Sequence, residues 1–268
     1  MLEGLLVNAV LTVLVMAGLW LIAVRIKDVS FIDAVWGGGM ALLAVASWFQ
    51  LGRNIDHGPG ARATLIMAMT AAWGARLALH LFMRWRAHGE DPRYARMLGK
   101  AKERGGFAQA ALKAVFAPQA VLLFLTCLPA QLGILASPDP APLGALALAG
   151  LLVWSVGVFF EWVGDWQLSR FRADPASKGK VLDSGLWRYT RHPNYFGDAC
   201  AWWGIWLAAA EAGWVVAAVS VIGPLFLTFT LTKWSGKPLL ERGMAKRRPE
   251  YAAYVARTSG FVPWPPKR

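Results

Sequence analysis

Cysteine is nearly absent: the 268 residues hold two, Cys127 and Cys200, both inside apolar runs and without CxxC spacing. That argues against a disulfide framework and against a zinc site. No GxGxxG or P-loop signature sits between a strand and a helix, so any nucleotide must be held by something other than a Rossmann or P-loop domain. Internal repeats and low-complexity segments are also missing. No basic stretch precedes the first apolar run and no cleavage site follows it cleanly, so that run is expected to be a membrane span and not a signal peptide. Acidic residues are few, 16 against 28 Lys and Arg, which leaves a net charge of +12.

What is present is apolar. Hydrophobic residues make up 56% of the chain, with 15 Trp and a mean hydropathy of +0.41. They fall in runs near bilayer length. The pattern predicts an all-α integral membrane bundle of seven transmembrane helices, one domain over 1–268. The expected spans are about 4–24, 30–50, 64–84, 114–137, 141–164, 195–211 and 212–233. The last two are joined by Glu211-Ala212-Gly213 in a tight hairpin, and 234–268 form a C-terminal cytoplasmic segment. Of the 28 basic residues, 25 fall on one side if the N-terminus is outside and the C-terminus cytoplasmic. The charge therefore reports topology and contact with membrane lipids, not nucleic acid, and no obligate protein partner is evident.

The densest polar stretch is Gly185-Leu-Trp-Arg-Tyr-Thr-Arg-His-Pro-Asn-Tyr-Phe-Gly-Asp198, directly before a Trp-rich apolar run. Arg188 and Arg191 offer bidentate phosphate contacts, His192 and Asn194 directional hydrogen bonds, and Tyr195 a stacking face. The plainer reading is an interfacial loop anchored by Arg, Trp and Tyr, for which Asn194 and Asp198 are poor choices. Asp33 lies about one turn inside the second span, where it caps the helix, pairs, or serves a site. Gly37, Gly38 and Gly39 follow it and permit close helix approach. Arg76, His80 and Arg84 share one helical face, suited to a phosphate or to a carboxylate partner, with Asp33 the candidate for Arg76. Glu161 and Asp165 form a like-charge i, i+4 pair that sugar hydroxyls would relieve. Lys246-Arg-Arg248, Tyr251 and Tyr254 suit cytoplasmic helices lying against the bundle, closed over by the stiff Pro263-Trp-Pro-Pro266 tail.

Asp165, the Gly185–Asp198 motif, Glu241, Tyr254 and the Pro-Trp-Pro-Pro end together resemble the steroid 5α-reductase family, in particular its bacterial membrane branch. The likeness runs from about Ser30 onward and is strongest over 161–206. It implies a bacterial inner-membrane enzyme that uses NADPH to saturate the C=C bond of an enone lipid, notably a 3-oxo-Δ4 steroid. The resemblance implies cofactor contacts from Asp165, Arg172, Asn194 and Asp198, with Arg191, His192 and Tyr195 beside them and Arg76 and Arg84 toward phosphates. Arg93, Gln167, Trp187, Glu241, Arg242 and Tyr254 complete the expected cofactor set. The family's eukaryotic members bind the ketone through a Gln-Glu pair and a Tyr. Here those positions correspond to Phe31-Ile-Asp33 and Trp73, so Asp33, Trp73 and Tyr94 are the catalytic candidates.

Hydride addition to an enone requires a donor aimed at the carbonyl oxygen, where charge builds. Asp33 can supply it only as the neutral acid. The Arg-His-Pro-x-Tyr core is also similar to that of isoprenylcysteine and phospholipid methyltransferases. That alternative would place S-adenosylmethionine near Arg191, His192, Glu241 and Arg242 and needs no proton donor. A lipid-binding or transport scaffold is the non-enzymatic reading.

Overall fold

A computed structural model describes residues 1–138, 140–234, 236–242, 244 and 248–267, with Leu239 described by its backbone alone. Asp139 of the expected external loop, and Lys246 and Arg247 of the expected cytoplasmic segment, lie outside the described residues. Among the described residues all regular structure is helical apart from one isolated bridge, Thr190 with Ser259. Six helical stretches are long and apolar enough to cross a membrane: Leu2–Ile26, Ile32–Gly52, Ala61–His88, Phe107–Thr126, Ala145–Ala173 and Trp214–Trp234. The stretch expected as the sixth span is also a helix, Pro193–Ala210. Its polar first turn and three tryptophans keep it out of that apolar group.

The first helix, α1 (Leu2–Ile26), shows what solvent surrounds the protein. It buries Asn8 and Thr12 while Leu6, Val10, Val13, Leu14 and Leu21 are exposed. A helix that hides its polar residues and presents its aliphatic ones is folded for hydrocarbon, not water. The protein is a multi-pass membrane protein.

The helices gather into two compact units, 1–147 with 208–222 and 148–207 with 223–268. In the first, α2 (Ile32–Gly52) and α3 (Ala61–His88) cross at glycines: a Cβ on Gly37 would lie 2.5 Å from the Gly74 carbonyl oxygen. Gly39 is equally needed, since a Cβ there would lie 2.7 Å from Leu123, whereas Gly38 makes no such approach. Several polar side chains in this unit bond one another. Asn8 donates to Ser47 (2.8 Å) and Gln131 (3.0 Å) and accepts from Gln50 (2.9 Å).

The expected fourth span, 114–137, is not one helix. It begins earlier, as α4 (Pro92–Glu103) is followed by α5 (Phe107–Ala111), a π-helical turn (Leu112–Phe116), α6 (Ala117–Thr126) and α7 (Leu128–Leu135). Two prolines cause this. Pro118 has no N–H for the carbonyl one turn back, and the ladder widens into a π-turn just before it. Pro129 breaks the helix at Cys127, and the side chain of Gln131 takes over the Phe124 carbonyl at 2.9 Å.

The second unit is organised on α8 (Ala145–Ala173, from Leu148 onward) and α9 (Pro193–Ala210, up to Leu207). A Cβ on Gly157 would meet the Ala201 nitrogen at 2.5 Å, and one on Gly204 the Gly150 carbonyl at 2.5 Å. Backbone lies against backbone along this seam, and only glycine fits. The loop between these helices is sewn to the C-terminal segment. Tyr254 Oη donates to the Trp187 carbonyl (2.5 Å), Arg191 N to Ser259 O (2.9 Å), Thr190 Oγ1 to Phe261 O (2.8 Å) and Trp264 N to Tyr189 O (3.0 Å). Asp183 pairs with Arg257. The tail, expected to close over the bundle, is bonded to the loop that carries the motif.

Candidate functional site

The sequence-derived candidates collect into two clusters, one in each unit. The first forms where α2 begins and α4 is capped. Asp28 accepts from Ser30 N (2.7 Å) and Trp85 Nε1 (2.8 Å), and Ser30 Oγ accepts from Asp91 N (2.7 Å). Asp91 is the N-cap of α4, with Pro92 behind it at the first helical position, and accepts from Arg93 N at 2.8 Å. This fixes the next two side chains on Asp33. Arg93 donates to Asp33 Oδ2 at 2.8 Å, and Tyr94 Oη donates to Asp33 Oδ1 at 2.8 Å. Arg84 stands 3.8 Å from Oδ2.

The electrostatics follow from that arrangement. Burial and then the adjacent Asp33 carboxylate push the Tyr94 phenol well above its ordinary range, so it is a neutral hydroxyl at any working pH. The hydrogen bond to Asp91 raises the Arg93 guanidinium further. For Asp91, burial acts upward, but the hydrogen bonds and charge of Arg93 outweigh it and the carboxyl is lowered.

Two expectations are corrected here. The partners of Asp33 are Arg93 and Arg84, not Arg76, because α4 folds back over the start of α2 and brings Arg93 nearer. Asp33 is also no deeply buried charge: its side chain keeps 24% of its exposure. It lies in the first turn of α2, and the helix start is capped by no side chain. Arg76 and His80 are half-buried on α3. Trp73 is a core residue, 2% exposed.

The second cluster lies on the Gly185–Asp198 motif. Arg191 is fully engaged within the protein: Nε reaches Glu241 Oε1 at 3.0 Å, and Nη1 donates to the carbonyls of Thr258 (2.6 Å) and Val255 (3.3 Å). His192 Nε2 bonds the same Glu241 oxygen at 2.9 Å, and its ring stacks on Tyr195 at 5.3 Å and 8°. Burial acts upward on Glu241, but the hydrogen bonds of His192 and Arg191 prevail and bring it down to about 2. Burial pushes the Tyr251 phenol up to about 12, with the Glu241 charge adding to it. Asn194 donates to Asp165 Oδ1 at 3.0 Å, joining α8 to α9.

Other members of the expected cofactor set hold the loop. Gln167 accepts from Leu186 N (3.0 Å), and Trp187 Nε1 donates to the Gly164 carbonyl (3.1 Å). Tyr254 is tied to Trp187 as described. Asp198 is half-buried one turn past Asn194, Glu161 is buried, and Arg172 and Arg242 are exposed.

A family described as "Protein of unknown function (DUF1295)" matches residues 19–258. The chain belongs to the DUF1295 family. An uncharacterized protein of Schizosaccharomyces pombe is 24% identical over 279 residues, covering 91% of this chain and 75% of that protein. No solved structure matches. The DUF1295 match takes in every residue of both clusters, while Phe261 to Lys267 of the tail lie beyond it. Sequence reasoning missed Asp91, which caps α4, and Gln119, which donates to Tyr94 Oη at 3.4 Å. The Asp-Pro step before an amphipathic stretch signalled the cap. Nothing in the sequence signalled Gln119.

Proposed function

We propose that this DUF1295 protein is an NADPH-dependent reductase that saturates the C=C bond of an enone lipid, most simply a 3-oxo-Δ4 steroid. The observation that carries this reading is the Tyr94–Asp33 pair. Enone reduction needs a neutral O–H near the carbonyl oxygen, and a methyltransferase does not. Tyr94 takes over the donor role first expected of Asp33, and Asp33 becomes the group that holds it.

The cofactor reading is supported by donor chemistry. Asp165 and Asn194 suit sugar hydroxyls, the His192–Tyr195 stack offers a ring face, and exposed Arg172 and Arg188 supply charge for phosphates. Arg191 does not suit a phosphate, because its N–H groups are engaged by Glu241, Thr258 and Val255. When bound, the reduced nicotinamide supplies a hydride. With substrate bound, the Tyr94 hydroxyl would turn its one proton from Asp33 Oδ1 to the carbonyl oxygen, the β-carbon gains hydride, and the oxygen keeps that hydrogen bond as charge builds on it. A proton from water then reaches the α-carbon of the enolate, and the product is the saturated ketone. In this reading α9 is a seventh span, the N-terminus is outside and the C-terminus cytoplasmic, and the membrane is a bacterial inner membrane.

The test is NADPH consumption by purified protein with a 3-oxo-Δ4 steroid. Tyr94→Phe should lower kcat by about 10²- to 10⁴-fold while leaving the NADPH-induced rise in melting temperature intact. Asn194→Ala should diminish that rise. Stabilisation by S-adenosylmethionine and none by NADPH would replace this reading with the methyltransferase.

A further inference from the structure

The Tyr94–Asp33 pair has a second layer behind it. Trp36, three residues beyond Asp33 on α2, donates from Nε1 to Gln119 Oε1 at 2.7 Å. Gln119, on α6, donates from Nε2 to Tyr94 Oη at 3.4 Å. An indole N–H only donates, so the atom of Gln119 that faces it must be the carbonyl oxygen. The amide NH₂ is thereby turned toward Tyr94. With a donor on that side, the phenolic oxygen accepts, and its proton is directed to Asp33 Oδ1 at 2.8 Å. Each atom in the chain Trp36–Gln119–Tyr94–Asp33–Arg93 has one role compatible with its neighbours, which is how a polar network fixes a single arrangement.

We propose that Gln119, locked by Trp36, is a positioning residue for Tyr94. It occupies the accepting side of the phenolic oxygen, so that the proton rests on Asp33 without substrate and is free to turn to the enone oxygen with it, and it stabilises the phenolic oxygen as negative charge builds there. Trp36 acts one step further back, by deciding which end of the amide faces Tyr94. The inference rests on the reading of Tyr94 as the donor to the enone oxygen. An uncharged amide is suited to the task, because a charged group in its place would either compete for the proton or hold the phenolate permanently.

The experiment pairs spectroscopy with kinetics. The protein has five tyrosines, so ¹⁹F spectra of 3-fluorotyrosine-labelled protein should show few lines, and Tyr94→Phe identifies the one belonging to Tyr94. Gln119→Glu keeps the acceptor for Trp36 and removes the donor to Tyr94; Trp36→Phe keeps the ring and removes the anchor. Both should move the Tyr94 line. In unlabelled protein both should lower kcat for NADPH-dependent reduction of a 3-oxo-Δ4 steroid by about 10-fold, the worth of one hydrogen bond, with KM for NADPH unchanged. The double variant should lose no more than Gln119→Glu alone. An unmoved Tyr94 line in both variants overturns the proposal. So does a wild-type kcat in both when Tyr94→Phe is inactive. Full activity in Tyr94→Phe, or no enone reduction by the wild type, overturns instead the reading of Tyr94 as donor, and the positioning role falls with it. If Gln119→Glu does not fold, Trp36→Phe decides alone.

Discussion

Asp33 and Glu241 are both carboxylates held by arginine, yet their surroundings set different expectations. Around Asp33 the guanidinium side chains keep about half their exposure, 51% for Arg93 and 48% for Arg84. Pairs this open contribute only about 0–1 kcal/mol, so Asp33→Asn should melt near the wild-type temperature. Its kcat should fall all the same, since Tyr94 loses its charged partner. A drop of many degrees in melting temperature would return Asp33 to a structural role. Glu241 binds Arg191 and His192 more tightly, and its carboxyl is lowered from 4.5 to about 2. The folded state is therefore favoured by the ionised form. That contribution is complete above about pH 4.5 and is lost as the pH falls toward 2. Hydrogen exchange should show amides of Tyr254 to Trp264 losing protection across that window, and Glu241→Gln should show weaker protection already at pH 7 with a flatter acid profile. Identical acid profiles for the two proteins would locate the sensitivity elsewhere.

At the scale of elements, the α8–α9 seam and α1 make a matched pair of expectations. Gly197→Ala would press a methyl to 2.5 Å from the Glu161 backbone nitrogen, so overpacking should cost about 1–3 kcal/mol and several degrees of melting temperature. Gly18→Ala on α1 meets nothing within 4 Å and should leave the melting temperature level or raise it, as alanine is the better helix former. If Gly197→Ala is as stable as Gly18→Ala, the two helices are less closely seated than described. The helices themselves were readable from apolar runs near bilayer length. The fourth expected span was placed too late and drawn as one piece, because hydropathy averages over Pro118 and Pro129 without registering what a missing N–H does to the ladder. The closeness of the Gly185–Asp198 motif to Glu241 was foreshadowed only by resemblance. Their partnership depends on tertiary distance, which no local pattern encodes.

For the molecule as a whole, the distribution of charge makes the boldest statement. A reporter at the C-terminus should be cytoplasmic and one inserted at Pro140 external; a cytoplasmic reporter at Pro140 would undo the proposed seven-span topology. Composition made the membrane setting plain, and the inverted polarity of α1 supports it independently. The division into two units was not legible, since no linker of distinct composition separates them and each is assembled from two stretches of chain. For the same reason Asp33 could be singled out by its depth in an apolar run, while Arg93, from a helix read as part of a charged loop, was not matched to it.

The stitching of the motif loop to the tail also has a consequence in time. Thr190 waits for Phe261, 71 residues downstream, with the Trp214–Trp234 span still to be made and inserted. At synthesis rates of about 5–20 residues per second, the loop stands open for several seconds before its partners in the tail are made. Chains arrested before residue 250 should thus be cut by protease within 183–192, where finished chains resist. The motif is ordered late in the life of each molecule, after nearly everything around it has already been placed.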